Sequence, residues 1–226
     1  MSTEIIVRGT FKSSHPAERA TVQASIGYSG PALEPAYRRV ASDLEVVKAA
    51  VENLANGDDA AVTWWAAEQL RTWSVRPWDK DGKQLPLVHH AAVSLEVKFR
   101  DFAALSAWVG EQIANVEGFH VAHIEWALTG ERGDALIRQA RAQAVHDARE
   151  RAQLYAEALG LGDVAPVAIA DAGMLVSHFR YDDDSGLTVL RSGMSAAERG
   201  VAAELVPREI EVNSSVDARF VAQAPS

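Results

Sequence analysis

Ala92-Val93-Ser94-Leu95-Glu96-Val97-Lys98-Phe99-Arg100-Asp101-Phe102 holds a strand, a helix start and the junction between them. Val93, Leu95, Val97 and Phe99 alternate with Ser94, Glu96, Lys98 and Arg100, the period-two pattern of a strand with one buried face. Asp101 then has the short acceptor side chain of a helix N-cap. Phe102, Leu105, Trp108, Val109 and Ile113 follow at helical spacing. The strand is thus followed at once by a helix that must pack against its apolar face.

Reading outward extends the pattern in both directions. Asp79-Lys80-Asp81-Gly82-Lys83 is a hairpin loop with Asp-Gly as its turn signal. It is preceded by a long extended region, Ala61 to Trp78, whose alternation changes phase near Ala66–Gln69 and predicts a bulge or bend. Before that, Tyr37, Val40, Ala41, Leu44, Val47, Val51 and Leu54 form one helical stripe, and Val22, Ala24, Ile26 and Tyr28 one strand face. After the second helix, Ile124, Trp126 and Leu128 mark a further strand. The order β-α-β-β-α-β is the ferredoxin-like pattern. A third helix runs from about Asp134 to Leu159, with Ile137, Ala140, Ala144, Ala148, Ala152, Tyr155 and Leu159 as its expected buried stripe. Val164–Ala170 and the alternating Ile210–Phe220 segment are expected to form a second small sheet with the N-terminal strand.

The expected fold is therefore α+β. It is a single unit over 1–226, with a ferredoxin-like half over 30–130 and a second α/β half made of 1–29 with 131–226. Residues 171–207 show little periodicity and are read as a long, mobile loop segment, functional or an oligomer arm.

Composition excludes several classes. There is no cysteine, which removes disulfides, cysteine-ligated metals and thiol nucleophiles. Twenty-two Lys+Arg against 31 Asp+Glu give a net charge of −9, which argues against broad phosphate-backbone binding and so against nucleic acid. No run approaches a membrane span. The N-terminus lacks a basic start followed by an apolar stretch, so the expected location is the cytoplasm. Abundant alanine, and arginine in excess over lysine, suggest a bacterial source.

Four stretches together resemble the SIMPL-domain family (domain of unknown function 541), with its bacterial periplasmic-immunogenic-protein-like members. The first is Val7-Arg8-Gly9 with His15-Pro16-Ala17-Glu18-Arg19-Ala20-Thr21-Val22. The second is Pro77-Trp78-Asp79 through Gly82, with the return strand Ala92–Val97. The third is Ala144-Val145-His146-Asp147-Ala148-Arg149-Glu150-Arg151-Ala152, with Leu159-Gly160-Leu161-Gly162-Asp163-Val164. The fourth is Val206-Pro207-Arg208-Glu209-Ile210-Glu211-Val212 through Phe220, with Arg208 where a glycine is usual. The resemblance implies an α+β fold, ring-like homo-oligomers, links to stress responses and no established catalytic residues. Many relatives are exported, and the absence of an export signal here puts an envelope role in doubt.

Candidate chemistry is sparse. His120, His123 and Glu125 form a candidate metal cluster, since imidazole and carboxylate suit zinc, copper or nickel. His89-His90 lies on a neighbouring strand, but adjacent strand residues face opposite ways. The bland reading is hydrogen-bonded or exposed histidines, because no complete ligand spacing is present. His146, one helical turn from Glu150 and next to Asp147, suits a general base or an ordinary surface pair. Asp182-Asp183-Asp184 lacks EF-hand spacing.

Six tryptophans are the oddest compositional feature. Trp64, Trp65, Trp73 and Trp78 fall in one extended region. Adjacent Trp64 and Trp65 must face opposite sides, so one lies outside a one-sided core unless a partner covers it. These four are candidates for an interface or a ligand surface. The overall expectation is a non-catalytic, homo-oligomeric scaffold or interaction protein with no cofactor and self as partner. The alternative is a small-molecule or metal-binding module that uses the Trp-rich strand or the histidines.

Overall fold

The computed structural model describes residues 2–175, 192–195 and 205–224. The element order is β1 (Ser2–Pro16), β2 (Arg19–Gly30), α1 (Leu33–Ala55), β3 (Val62–Ala67), β4 (Arg71–Val75), β5 (Val88–Phe99), α2 (Phe102–Asn115), β6 (Phe119–Ala127), α3 (Gly130–Ala158), β7 (Ala165–Asp171), β8 (Ser192–Ser195) and β9 (Glu209–Gln223). Two antiparallel sheets result, β1-β9-β7 and β3-β5-β2-β6-β8, with β4 also pairing β5. The fold is α+β. The chain separates into two compact units. One is Ala17–Ala127 with Arg191–Arg208; the other is Met1–Pro16, Leu128–Leu190 and Glu209–Ser226.

The unit around Ala17–Ala127 contains the βαββαβ pattern as β2-α1-β3-β5-α2-β6. β2 lies between β5 and β6 and pairs with both. The division of the chain therefore falls between Pro16 and Ala17, not at residue 30, because the 19–30 strand is the centre of this sheet. Ala20, Val22, Ala24 and Ile26 of β2, with Ala91, Val93, Leu95, Val97 and Phe99 of β5, are buried on one face. α1 and α2 supply Val40, Val47, Val51, Leu105 and Trp108 against that face. Aromatic contacts fix α2 in place: Phe99–Trp108 and Trp108–Phe119 centroids are 5.5 and 5.6 Å apart. The Asp101 carboxylate caps the helix by accepting from the Ala103 and Ala104 amides at 2.9 and 3.0 Å. The phase change expected near Ala66–Gln69 is the break between β3 and β4, which pair with successive halves of β5.

A polar clasp closes one end of β2 in this unit. The Tyr28 hydroxyl donates to Asp43 on α1 at 2.6 Å and accepts from the Gly118 amide at 2.8 Å. A Cβ on Gly118 would fall 2.7 Å from the Tyr28 ring, so only glycine lets that amide reach the hydroxyl. Arg39, ion-paired with Glu117, lies over the ring at 4.2 Å. Burial, and donation to Asp43, push the Tyr28 phenol above its usual range.

In the other unit β1 and β9 form a continuous ladder from Ser2 opposite Gln223 to Pro16 opposite Glu209. α3 lies over β1 and β9. Its buried stripe is Leu136, Ala140, Ala144, Ala148, Ala152 and Ala156, at every fourth residue. The expected members Tyr155 and Leu159 are instead exposed, because Ala156 takes the inward position on that ridge. Gly9 explains the small side chains. A Cβ there would sit 2.0 Å from the Ala144 carbonyl oxygen and 2.7 Å from the Ala148 Cβ. The Asp147 carboxylate accepts from the Thr10 amide at 2.8 Å and from Arg151 at 3.0 Å. Asp217, 3% exposed, accepts from Arg8 at 2.9 Å and from the Gly173 amide at 2.7 Å.

Of the expected 171–207 loop, Ser192–Ser195 is a strand that pairs with β6. Residues 176–191 and 196–204, including Asp182-Asp183-Asp184, lie outside the described residues.

Two variants test these contacts. Gly9→Ala is expected to destabilise the protein by at least about 3 kcal/mol in urea denaturation, because backbone atoms of a packed helix must move. Tyr28→Phe is expected to cost about 1–2 kcal/mol at neutral pH, leaving the Gly118 amide and Asp43 without the hydroxyl. With the folded phenol raised, that stability is present below about pH 10 and is lost as pH rises through the raised value. The gap between parent and variant should therefore narrow in alkaline denaturation curves.

Candidate functional site

The strands of the βαββαβ unit have a second face, opposite the one that α1 and α2 cover. On β5 it presents His90, Ala92, Ser94, Glu96 and Lys98; on β2, Thr21, Gln23 and Ser25. Trp64 stands opposite Lys98 on this face and Trp73 opposite His90. The Trp73 and His90 rings stack at 5.1 Å with 7° between planes. The Lys98 ammonium lies 5.8 Å from the Trp64 ring centroid. Trp64 is 48% exposed, Trp73 47% and Trp78 64%, so about half of Trp64 and Trp73, and more of Trp78, faces outward. Trp65, opposite buried Val97, points to the helix side and is half-buried. Trp108 and Trp126 are buried core residues.

Between the Trp64 and Trp73 levels most of the side chains are small. Gln23, Ser25, Ala66, Ala67, Glu68, Ser94, Glu96 and Ala122 line an open groove of about 440 Å³. The depression follows from the sequence: alanine and serine occupy most of the outward positions there, between bulky neighbours.

β6 borders this groove. Its ladder with β2 slips between Gln23 and Ala24, so that His123 is opposite Gln23 and His120 opposite Ser25. The bulge at Ala122 puts His120 and His123 on the same face despite their odd spacing. Glu125, opposite Thr21, shares it. Among the described residues, no group of three or more His, Asp or Glu side chains comes together around a metal-sized centre. His89 hydrogen-bonds Ser74 at 2.7 Å, while His90 stacks on Trp73, so the two point apart. His146 and Glu150 are both exposed on α3, and among the described residues no hydrogen bond or ion pair joins them. Neighbouring Asp147 is engaged with the Thr10 amide and Arg151, a structural bond between helix and strand.

The β1-β9-β7 unit has its own open groove, beside α3. Val145, Arg149, Val164, Pro166, Val167, Ala168, Ile169, Ala218 and Phe220 line about 550 Å³. Val167 and Ile169 are 54% and 55% exposed. β7 is the edge strand here, and its ladder slips between Pro166 and Ala168. Sequence reasoning did not find this groove. The signal available was Val167 and Ile169 on a short strand carrying a proline, a mark of an edge.

The model of the SIMPL family, described as a protein of unknown function (DUF541), matches residues 5–220. No curated protein matches the chain. Among the described residues, no helix is long and apolar enough to cross a membrane.

The two tryptophan environments separate by mutation. Replacing Trp64 and Trp73 together by phenylalanine should remove much of the acrylamide-quenchable emission and change stability by about 0.5 kcal/mol or less. Trp126→Ala should cost about 3–5 kcal/mol.

Proposed function

The chain belongs to the SIMPL family, and from that membership we propose that it is a non-catalytic scaffold that works as a homo-oligomer. The observation that carries this reading is the groove beside α3, with half-exposed Val145, Val167 and Ile169 around Ala218 and Phe220. A contiguous apolar depression of this kind favours association over exposure to water. The proline and bulge in β7 blunt it as a template for strand addition. Contact between copies is accordingly assigned to side chains that fill the groove. With no cysteine in the chain, the link to stress responses implied by the family resemblance would act through binding or assembly.

Size-exclusion chromatography with light scattering tests this. A defined oligomer is expected for the parent. Val167→Asp and Ile169→Asp should each weaken self-association by about tenfold or more, roughly 1.4 kcal/mol, with unchanged circular dichroism. A clean monomer at high micromolar concentration overturns the reading.

A further inference from the structure

We propose that the open face of the β3-β5-β2-β6 sheet is a binding site for a neutral, linear polysaccharide. Two exposed indoles mark the ends of the site. Their partners on β5, Lys98 and His90, are eight residues apart, which is roughly 26 Å along a strand. That spacing is too long for a cage around one small cation or one monosaccharide. It suits a chain that lies along β5, rests on a ring at each end and dips into the groove between them.

The chemistry of the lining selects the ligand. An indole face gains most from a flat, weakly polar partner, and the C–H face of a pyranose ring is one. The ring edge then presents hydroxyl donors that need acceptors. Glu96 and Glu68 are acceptor-only carboxylates, and Gln23, Ser25 and Ser94 add an amide and two hydroxyls. Charge argues in the same direction. Arg71 pairs with Glu68 at 3.5 Å, and Lys98 is held beside the Trp64 ring. Glu96 then stands on the groove lining as a carboxylate that disfavours a phosphate or uronate chain, so an uncharged polymer fits where a nucleic acid does not. The Trp73–His90 stack fixes one indole before any ligand arrives, which lowers the ordering cost of binding.

The site is separate from the groove beside α3, so the two proposals fail independently. Native affinity electrophoresis of the full chain tests it, with soluble mixed-linkage glucan, xylan and mannan as neutral probes and polygalacturonate as the anionic one. At least one neutral polymer should retard the protein, and polygalacturonate should not. Trp64→Ala and Trp73→Ala should each raise the dissociation constant by about tenfold or more, whereas Glu111→Gln, exposed on α2 and away from both grooves, should leave it unchanged. Circular dichroism and the mass from light scattering establish that each variant is folded and in what state. Three results overturn the proposal: no retardation by any neutral polymer, retardation that survives both tryptophan substitutions, or equal retardation by polygalacturonate. A drop in oligomeric mass caused by Trp64→Ala or Trp73→Ala also overturns it, since the face would then be a contact between copies.

Discussion

The approach of Gly9 to α3 sets the geometry of the β1-β9-β7 unit. With no side chain on Gly9, the helix backbone at Ala144 and Ala148 comes within van der Waals reach of the strand. Such proximity requires that the helix itself be lined with alanine from Ala140 to Ala156. It also brings the Asp147 carboxylate to the Thr10 amide. An alanine-lined contact buries little area per residue, so dispersion at close range and a well-placed hydrogen bond take the place of large side chains. The Asp-Ala-Arg run of α3 reads as the record of that contact.

The other unit is built on the opposite plan. Its core is filled by Phe99, Trp108, Phe119 and Trp126 under two helices, and its second sheet face sets Trp64 and Trp73 at two levels with Ser25, Ala66 and Ser94 between them. One strand pattern serves both ends: the odd positions of β5 hold the core and the even ones build the groove. A single-residue slip of β5 would therefore exchange core and groove together. The pairing of β5 with β2 on one side and with β3 and β4 on the other opposes such a slip.

Much of this was legible in the sequence. The alternation of Val93–Phe99, the Asp101 cap and the break between Trp64 and Trp73 all lie where local chemistry places them. The opposed faces of Trp64 and Trp65 follow from strand geometry alone. What was not legible depends on partners distant in sequence. The bulge that sets His120 and His123 side by side exists only in the ladder with β2. The inward turn of Ala156, in place of Tyr155, depends on where β1 and β9 pass beneath the helix. The groove beside α3 depends on β7 lying at the sheet edge, which no local pattern specifies. His89 and His90 were separable in advance, but the stack of His90 on Trp73 was not.

The pairing of Ser2 with Gln223 at one end of the β1-β9 ladder, and of Pro16 with Glu209 at the other, has a temporal consequence. Of the described elements β1 emerges first during synthesis and its partner last. The helix that packs on β1 is complete well before β9 exists. The βαββαβ segment Ala17–Ala127, by contrast, has its two helices and their strands together early. All of the elements from β2 to β8 are made while a long, apolar-faced strand lacks its neighbour, the situation in which non-local pairing slows folding and exposes the chain to aggregation. Glu4, Arg8 and Lys12 alternate with Ile5, Val7 and Phe11 along that strand, the placement that gatekeeper charges take beside an unavoidable apolar strand.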